Sequence, residues 1–177
     1  PDSFGPGTAR FPICSRPYVL FAPPQRKTGR IRRTVHTPGM YIEPTNENGR
    51  RLFERNIAGP VVMLNLLRFR ETADYTDSPE LAPSEPISGQ AAYRLYVAHT
   101  LPFLTGVGGE LEFMGEGGFS FIGPVDERWD LVMLVRYPGI EQFLGMAQNH
   151  EYLAGIGHRT AALEDSRLIP IEKTDRL

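Results

Sequence analysis

An asparagine stands in the middle of VVMLNLLRF, residues 61–69, and every other residue of that run before Arg68 is apolar. A strand of this composition is covered on both faces, and an amide left unpaired inside it costs roughly 1–3 kcal/mol. Asn65 therefore needs a partner: backbone, water, or the carbonyl of a bound molecule that it would polarise. Further along, GIGHR places His158 and Arg159 directly after two glycines that would let backbone come close to a ligand. A guanidinium there can hold a carboxylate or an enolate while the imidazole moves a proton. The plainer alternative is a cation pair at a helix terminus. His99 is a second candidate proton carrier, against the alternative of a structural histidine whose bonds are satisfied. Asn65, His99, His158 and Arg159 form the candidate catalytic set, and the expected chemistry is proton transfer or enolate stabilisation without metal or organic cofactor.

Three bulkier residues are candidates for a substrate-binding wall. Trp129 opens a strand-like run, Met63 shares the parity of Asn65, and Tyr96 sits on a helical stripe. Each has an ordinary alternative: core or dimer seam for the tryptophan, and simple packing for a tyrosine at helical spacing. Asp130 most simply pairs with a neighbouring arginine. The chain carries no nucleophile elbow, phosphate-binding glycine loop, dinucleotide fingerprint, HExxH or zinc-type Cys/His cluster, so the chemistries those motifs signal have no support.

The elements that must position these residues follow from periodicity. PTNENGRRLFERN reads as a short helix, and VVMLNLLRF as the first strand, apolar at both parities. Residues 70–88 are acidic and proline-rich, a long loop of the kind that serves either as a lid or as a plain surface insertion. Ser88 caps a helix running to about Val107, with Tyr93, Tyr96, Val97, Thr100 and Leu104 at three- and four-residue intervals; Pro102 is expected to kink it, and Gly108 and Gly109 to stop it. ELEFMG alternates and has one wet face, with GGFSFIG expected to hairpin back beside it; WDLVMLVRYP is apolar at both parities. IEQFLGMAQ and HEYLAGIGHRTAALE make a broken helical layer, and RLIPI, whose Pro170 cannot donate to a ladder, closes the sheet as an edge.

Composition sets the outer bounds. With 177 residues, 41% hydrophobic, 23% charged and a net charge of −2, the chain suits one moderate core. Its longest apolar runs are strand-sized, far short of the roughly 20 residues a membrane-spanning helix needs, so no membrane role is expected. The lone Cys14 cannot close an internal disulfide, which fits a reducing cytoplasm. Residues 1–39 hold seven Lys or Arg against Asp2 alone, together with seven of the sixteen prolines, and show no apolar periodicity. They read as a disordered basic extension ahead of a domain spanning 40–177, and their removal should leave folding intact. A solvated tail, an expression remnant or a leader upstream of Met40 are the plainer origins; an organelle transit segment is the other. Starting at Pro1, the chain is expected to be incomplete or processed. The basic tract QRKTGRIRR alone suggests nucleic acid, and the acidic remainder argues against that partner.

The order strand, helix, strand, strand, helix, strand, with the first and third strands central, is an α+β ferredoxin-like βαββαβ antiparallel sheet. Two helical segments cover only one face of such a sheet, yet its central strands are apolar on both. A second copy is the simplest cover, so the chain is expected to form a homodimer, a dimeric α+β barrel. In the first strand, Val62, Leu64 and Leu66 are expected to face the helices, leaving Met63 and Asn65 to face the space between the two sheets.

The runs PVVMLNLLRF, AAYRLYVAHTLPFLTGVGGELEFMG and ERWDLVMLVRYPGIEQFLGMAQNHEYLAGIGHRTAALEDSRLIPI resemble the DUF1330 family of uncharacterised proteins over residues 40–172. The resemblance rests on Tyr93 and Tyr96, the Gly108-Gly109 stop, the Tyr137-Pro138 turn, and HEYLAG followed by Arg159. It implies the dimeric α+β barrel superfamily and no settled activity. That superfamily includes cofactor-free oxygenases of aromatic polyketides, muconolactone isomerase-like enzymes and haem-degrading monooxygenases. The last use an Asn, a Trp and a His; Asn65, Trp129 and His150 or His158 would correspond, but the interval from Trp129 to either histidine is longer than that pattern. The resemblance leaves two readings: an enzyme or binder of an unknown small molecule, or a non-catalytic dimeric module whose interior is filled by its own side chains.

Overall fold

The computed structural model describes residues 40–174. The basic extension read in residues 1–39 lies outside the described residues. Helix α1 spans Asn46–Glu54, and strand β1 spans Val61–Phe69; a single 3-10 turn at Pro79–Leu81 interrupts the long loop before helix α2, Gly89–Gly106. Strands β2 (Glu110–Glu116) and β3 (Leu131–Tyr137) follow, then helices α3 (Ile140–Ala147), α4 (His150–Ala154) and α5 (Ile156–Ala162), and strand β4 (Leu163–Glu172). All neighbouring strands are antiparallel in the order β2-β3-β1-β4, which is the ferredoxin-like arrangement. The two strands apolar at both parities are the two central ones.

Local chemistry sets the boundaries. Ser88 Oγ accepts the Ala91 amide at the start of α2. The helix continues through Pro102 as one element and stops where Gly108 takes φ +74, a left-handed turn that a side chain would strain. The second helical layer is broken into three pieces, with Asn149 Oδ1 capping α4 and Gly155 separating α4 from α5. GGFSFIG does not lie back along β2 as a strand. Residues 117–128 leave the sheet as an arm joining β2 to β3, closed by the Phe119–Arg128 bridge.

The faces of the sheet are assigned oppositely to expectation. Val61, Met63 and Leu67 are buried with Met133, Val135 and Tyr137 against Ala92, Tyr93 and Leu104 of α2, Tyr152 of α4 and Ala161 of α5. Alternation therefore puts Met63 and Asn65 on the helix-covered face, and Val62, Leu64 and Leu66 on the other. Asn65 apart, both sets are apolar, so composition could not decide; the side on which the two crossovers pass does. The second face carries Val62, Leu64 and Leu66 beside Val132 and Leu134, with Phe113, Ile169 and Ile171 exposed at its flanks. None of Val62, Leu64, Leu66, Val132 and Leu134 belongs to the buried core.

Candidate functional site

The helix-covered face of the sheet is lined by aromatic residues at the spacing of α2. Phe69, Tyr93, Tyr96, Tyr152 and Phe103 form a chain of ring contacts with centroids 5.3–6.4 Å apart. Within it the Tyr96 and Tyr152 hydroxyls share a hydrogen bond of 2.9 Å. Burial pushes the phenols of Tyr93, Tyr137 and Tyr152 well above the ordinary tyrosine range, and the neighbouring Tyr96 adds to each. The Arg159 charge acts in the opposite sense on Tyr93 and Tyr152. Four tyrosines thus share one layer with Phe69 and Phe103, and the three phenols that burial raises, Tyr93, Tyr137 and Tyr152, stay neutral.

The candidates read from the sequence divide unevenly over this geometry. Met63 is fully buried in the layer, as core. Asn65 lies on the same face, and its Nδ2 donates to the Met63 carbonyl of its own strand at 3.0 Å, so the amide has a backbone partner. Tyr96 is the residue the layer uses most directly, through Tyr152. Arg159 sits at the rim, donating from Nη1 to the Ile42 carbonyl at 2.7 Å and from Nη2 to Ser166 Oγ at 3.2 Å.

The two histidines are held by neighbouring segments. His99 Nε2 lies between the carbonyls of Glu151 at 3.0 Å and Tyr152 at 3.1 Å, two acceptors that require it to carry the proton. Its ring presses on Gly155, where there is no room for a Cβ. His158 Nδ1 is hydrogen-bonded to the Tyr75 hydroxyl at 2.8 Å, and the two rings meet edge to face. Burial lowers the His158 pKa, and the nearby His99 lowers it further, while burial raises that of Tyr75. The loop 70–88 is docked on α5 by this pair, by the Asp74 amide on the Ala161 carbonyl, and by Ser78 packed on Gly157. That is a fixed insertion, in place of a free lid.

Trp129 does not join the layer. Its ring is met by the Arg167 guanidinium, which also lies over Tyr41. Arg167 pairs in register with Leu66, a residue of the second face of the sheet. Asp130 pairs with Arg128, as its sequence setting suggested, and accepts the Phe69 amide at 2.7 Å. Among the described residues, two shallow clefts bear on the candidate residues. One, of about 270 Å³, lies among Gln90, Glu116, Phe119, Arg128, Trp129 and Asp130. The other, of about 330 Å³, lies between Thr72–Tyr75 and Ala82–Ile87. Neither is lined by Asn65, Tyr96, His99, His158 or Arg159. Among the described residues no group of three His, Cys, Asp or Glu is placed to hold a metal ion, and no helix is long and apolar enough to cross a membrane.

Sequence reasoning passed over Tyr75, Tyr93, Tyr137 and Tyr152 as site residues. Tyr93, Tyr137 and Tyr152 lie in the segments that carried the family resemblance, and three aromatic positions shared by one layer were a usable signal.

No family model matches the chain, and no curated protein matches it. Among solved structures the chain is similar to RPA0582, a protein of unknown function from Rhodopseudomonas palustris, with 35% identity and a TM-score of 0.67 over 77% of this chain and 99% of that one. Methylated RPA0582 gives the same identity and TM-score, with 96% of its chain covered. A dimeric protein of unknown function and ferredoxin-like fold from Bacteroides fragilis is matched at 14% identity and a TM-score of 0.40, over 66% of this chain and 99% of that one. At this identity and coverage, the chain belongs to the family of RPA0582.

Proposed function

We propose that the chain works as a homodimeric α+β barrel of the DUF1330 type, each protomer binding a small organic molecule in the layer between its sheet and its helices. The observation that carries this reading is the gathering of Tyr93, Tyr96, Tyr137 and Tyr152 in one layer, where the Tyr96 and Tyr152 hydroxyls meet and the Arg159 charge acts on Tyr93 and Tyr152. A core needs no phenols, and each buried polar group must be satisfied. Neutral phenols donate hydrogen bonds, and with a guanidinium beside them they suit a ligand bearing a carbonyl or carboxylate on an apolar body. Such donors would also stabilise an enolate, so any turnover would be proton transfer, isomerisation or oxygenation of an activated carbon acid. The lone Cys14 fits work in a reducing cytoplasm.

Native mass spectrometry of the gently purified protein tests the reading. A dimer mass with a ligand of a few hundred daltons per protomer, lost in Tyr152→Phe/Tyr96→Phe, is the expected result. A ligand-free dimer that no carbonyl or carboxylate compound stabilises against heat would overturn the binding half.

A second reading has its own observation. Asn65 is bonded to its own backbone and Tyr96 to Tyr152, so the interior is partly self-satisfied. That favours a dimeric module without a ligand, and the same experiment decides between them.

A further inference from the structure

Resting on the dimer reading, we propose that the arm formed by residues 117–128 is a second interface element that reaches over and packs against the other copy of this chain. Among the described residues, the arm carries the most exposed large apolar side chains: Phe119 is 71% exposed, Phe121 101%, Ile122 91% and Val125 93%. A water-facing cluster of this kind marks an interaction site. It is also built rather than loose. The Ser120 amide donates to the Glu127 carbonyl at 2.9 Å, Ser120 Oγ donates to Glu127 Oε2 at 2.8 Å, and the Glu127 amide closes a turn on the Pro124 carbonyl at 3.1 Å. Below that turn the Trp129 amide donates to the Gly118 carbonyl at 3.0 Å. The apolar groups are therefore held outward in fixed places, which lowers the entropy lost on docking.

Area and continuity point to a second copy as the occupant. A stable interface covers roughly 800 Å² on each partner. The central residues of the open sheet face, Val62, Leu64, Leu66, Val132 and Leu134, are already half covered by their neighbours and give only part of that. Covering Phe119 and Phe121 would add about 300 Å² per protomer. The arm springs from β2 and β3, and Phe113 of β2, 53% exposed, lies on the open face beside Leu134. Sheet face and arm thus share their strands. A two-fold axis would make the arm contact twice, once from each protomer, as in any isologous interface.

The test compares the full chain with the variant Phe121→Ser/Ile122→Ser/Val125→Ser by analytical ultracentrifugation over a concentration series. The expected result is a native circular dichroism spectrum and a dimer Kd at least 100-fold weaker than that of the parent. A photo-crosslinking phenylalanine analogue at position 121 should give a covalent species of twice the chain mass. A parent that dimerises while the variant dimerises equally well, with no crosslink from position 121, would overturn the arm and leave the dimer standing. A parent that is monomeric throughout would sink the dimer reading and the arm with it. Binding of the parent, and not of the variant, to phospholipid vesicles with an unchanged dimer Kd would assign the tip to a membrane surface and overturn the proposal.

Discussion

The hydroxyls of Tyr96 on α2 and Tyr152 on α4 share a 2.9 Å hydrogen bond inside the layer between helices and sheet. The bond ties the first crossover to the second, and neither helix makes another side-chain hydrogen bond to the other in which both partners are tyrosines. Tyr152→Phe removes the bond and leaves the Tyr96 hydroxyl to find a new partner. A loss of about 1 kcal/mol in urea unfolding is expected, with the double variant Tyr96→Phe/Tyr152→Phe costing less than twice that. Additive losses would mean that the two hydroxyls do not depend on one another.

Gly157 and Gly145 make opposite predictions for the same substitution. A Cβ at Gly157 would lie 2.6 Å from Ser78 Cβ and 2.8 Å from Leu81 Cδ1, so Gly157→Ala forces the loop 70–88 off α5. The helix-propensity gain of about 1 kcal/mol is outweighed by overpacking, typically about 1–3 kcal/mol. At Gly145, on α3, nothing lies within 4 Å, and Gly145→Ala should stabilise by about 0.5–1 kcal/mol. Urea midpoints and limited proteolysis of the loop read both; a neutral Gly157→Ala would show that the loop is not docked there.

Much of this architecture was open to reading from residue patterns, and the exceptions have physical causes. Strand order followed from which runs were apolar at both parities, because only a central strand is covered on both sides, as β1 and β3 are. The side each parity faces was not legible: Met63 and Leu67 against Val62 and Leu64 differ in softness but not in burial demand, Asn65 meets its own need through the Met63 carbonyl, and the crossovers fix the side. Tyr96 was found from helical spacing, whereas Tyr152 and Tyr137 are brought to it from 56 and 41 residues away by tertiary packing that no local period encodes. Of the partners of Arg159, the Ile42 carbonyl is a remote backbone group that carries no mark in the sequence, while Ser166 lies only seven residues on, past the turn from α5 into β4.

His158 should make stability depend on pH in one direction. Its pKa in the folded chain lies below the ordinary value of 6.5, so the unfolded chain binds the proton more readily. The contribution of the neutral, Tyr75-bonded imidazole is therefore complete above about pH 6.5 and is lost as pH falls through the lower folded value. Thermal midpoints of the parent should fall from pH 7.5 to pH 5 more steeply than those of His158→Asn. Parallel profiles would show that the Tyr75–His158 pair does not couple the loop to protonation.

Leu134 is the residue through which the uncovered face of the sheet can be tested without disturbing the tyrosine layer. It lies on central strand β3, opposite Leu64 on one side and Phe113 on the other, and its side chain points away from the helices. A glutamate there remains in contact with water in a single protomer, so Leu134→Glu should fold. Facing its own symmetry mate across a closed interface, the same carboxylate would be desolvated beside a like charge, a combination that costs several kcal/mol. The expected outcome by light scattering is a dimer for the parent and a monomer for Leu134→Glu at the same concentration, with the far-ultraviolet circular dichroism spectrum retained. Met133→Glu, one residue away on the buried face, should instead fail to fold. If Leu134→Glu dimerises as the parent does, the two sheets do not meet across this face, and something else covers its aliphatic residues.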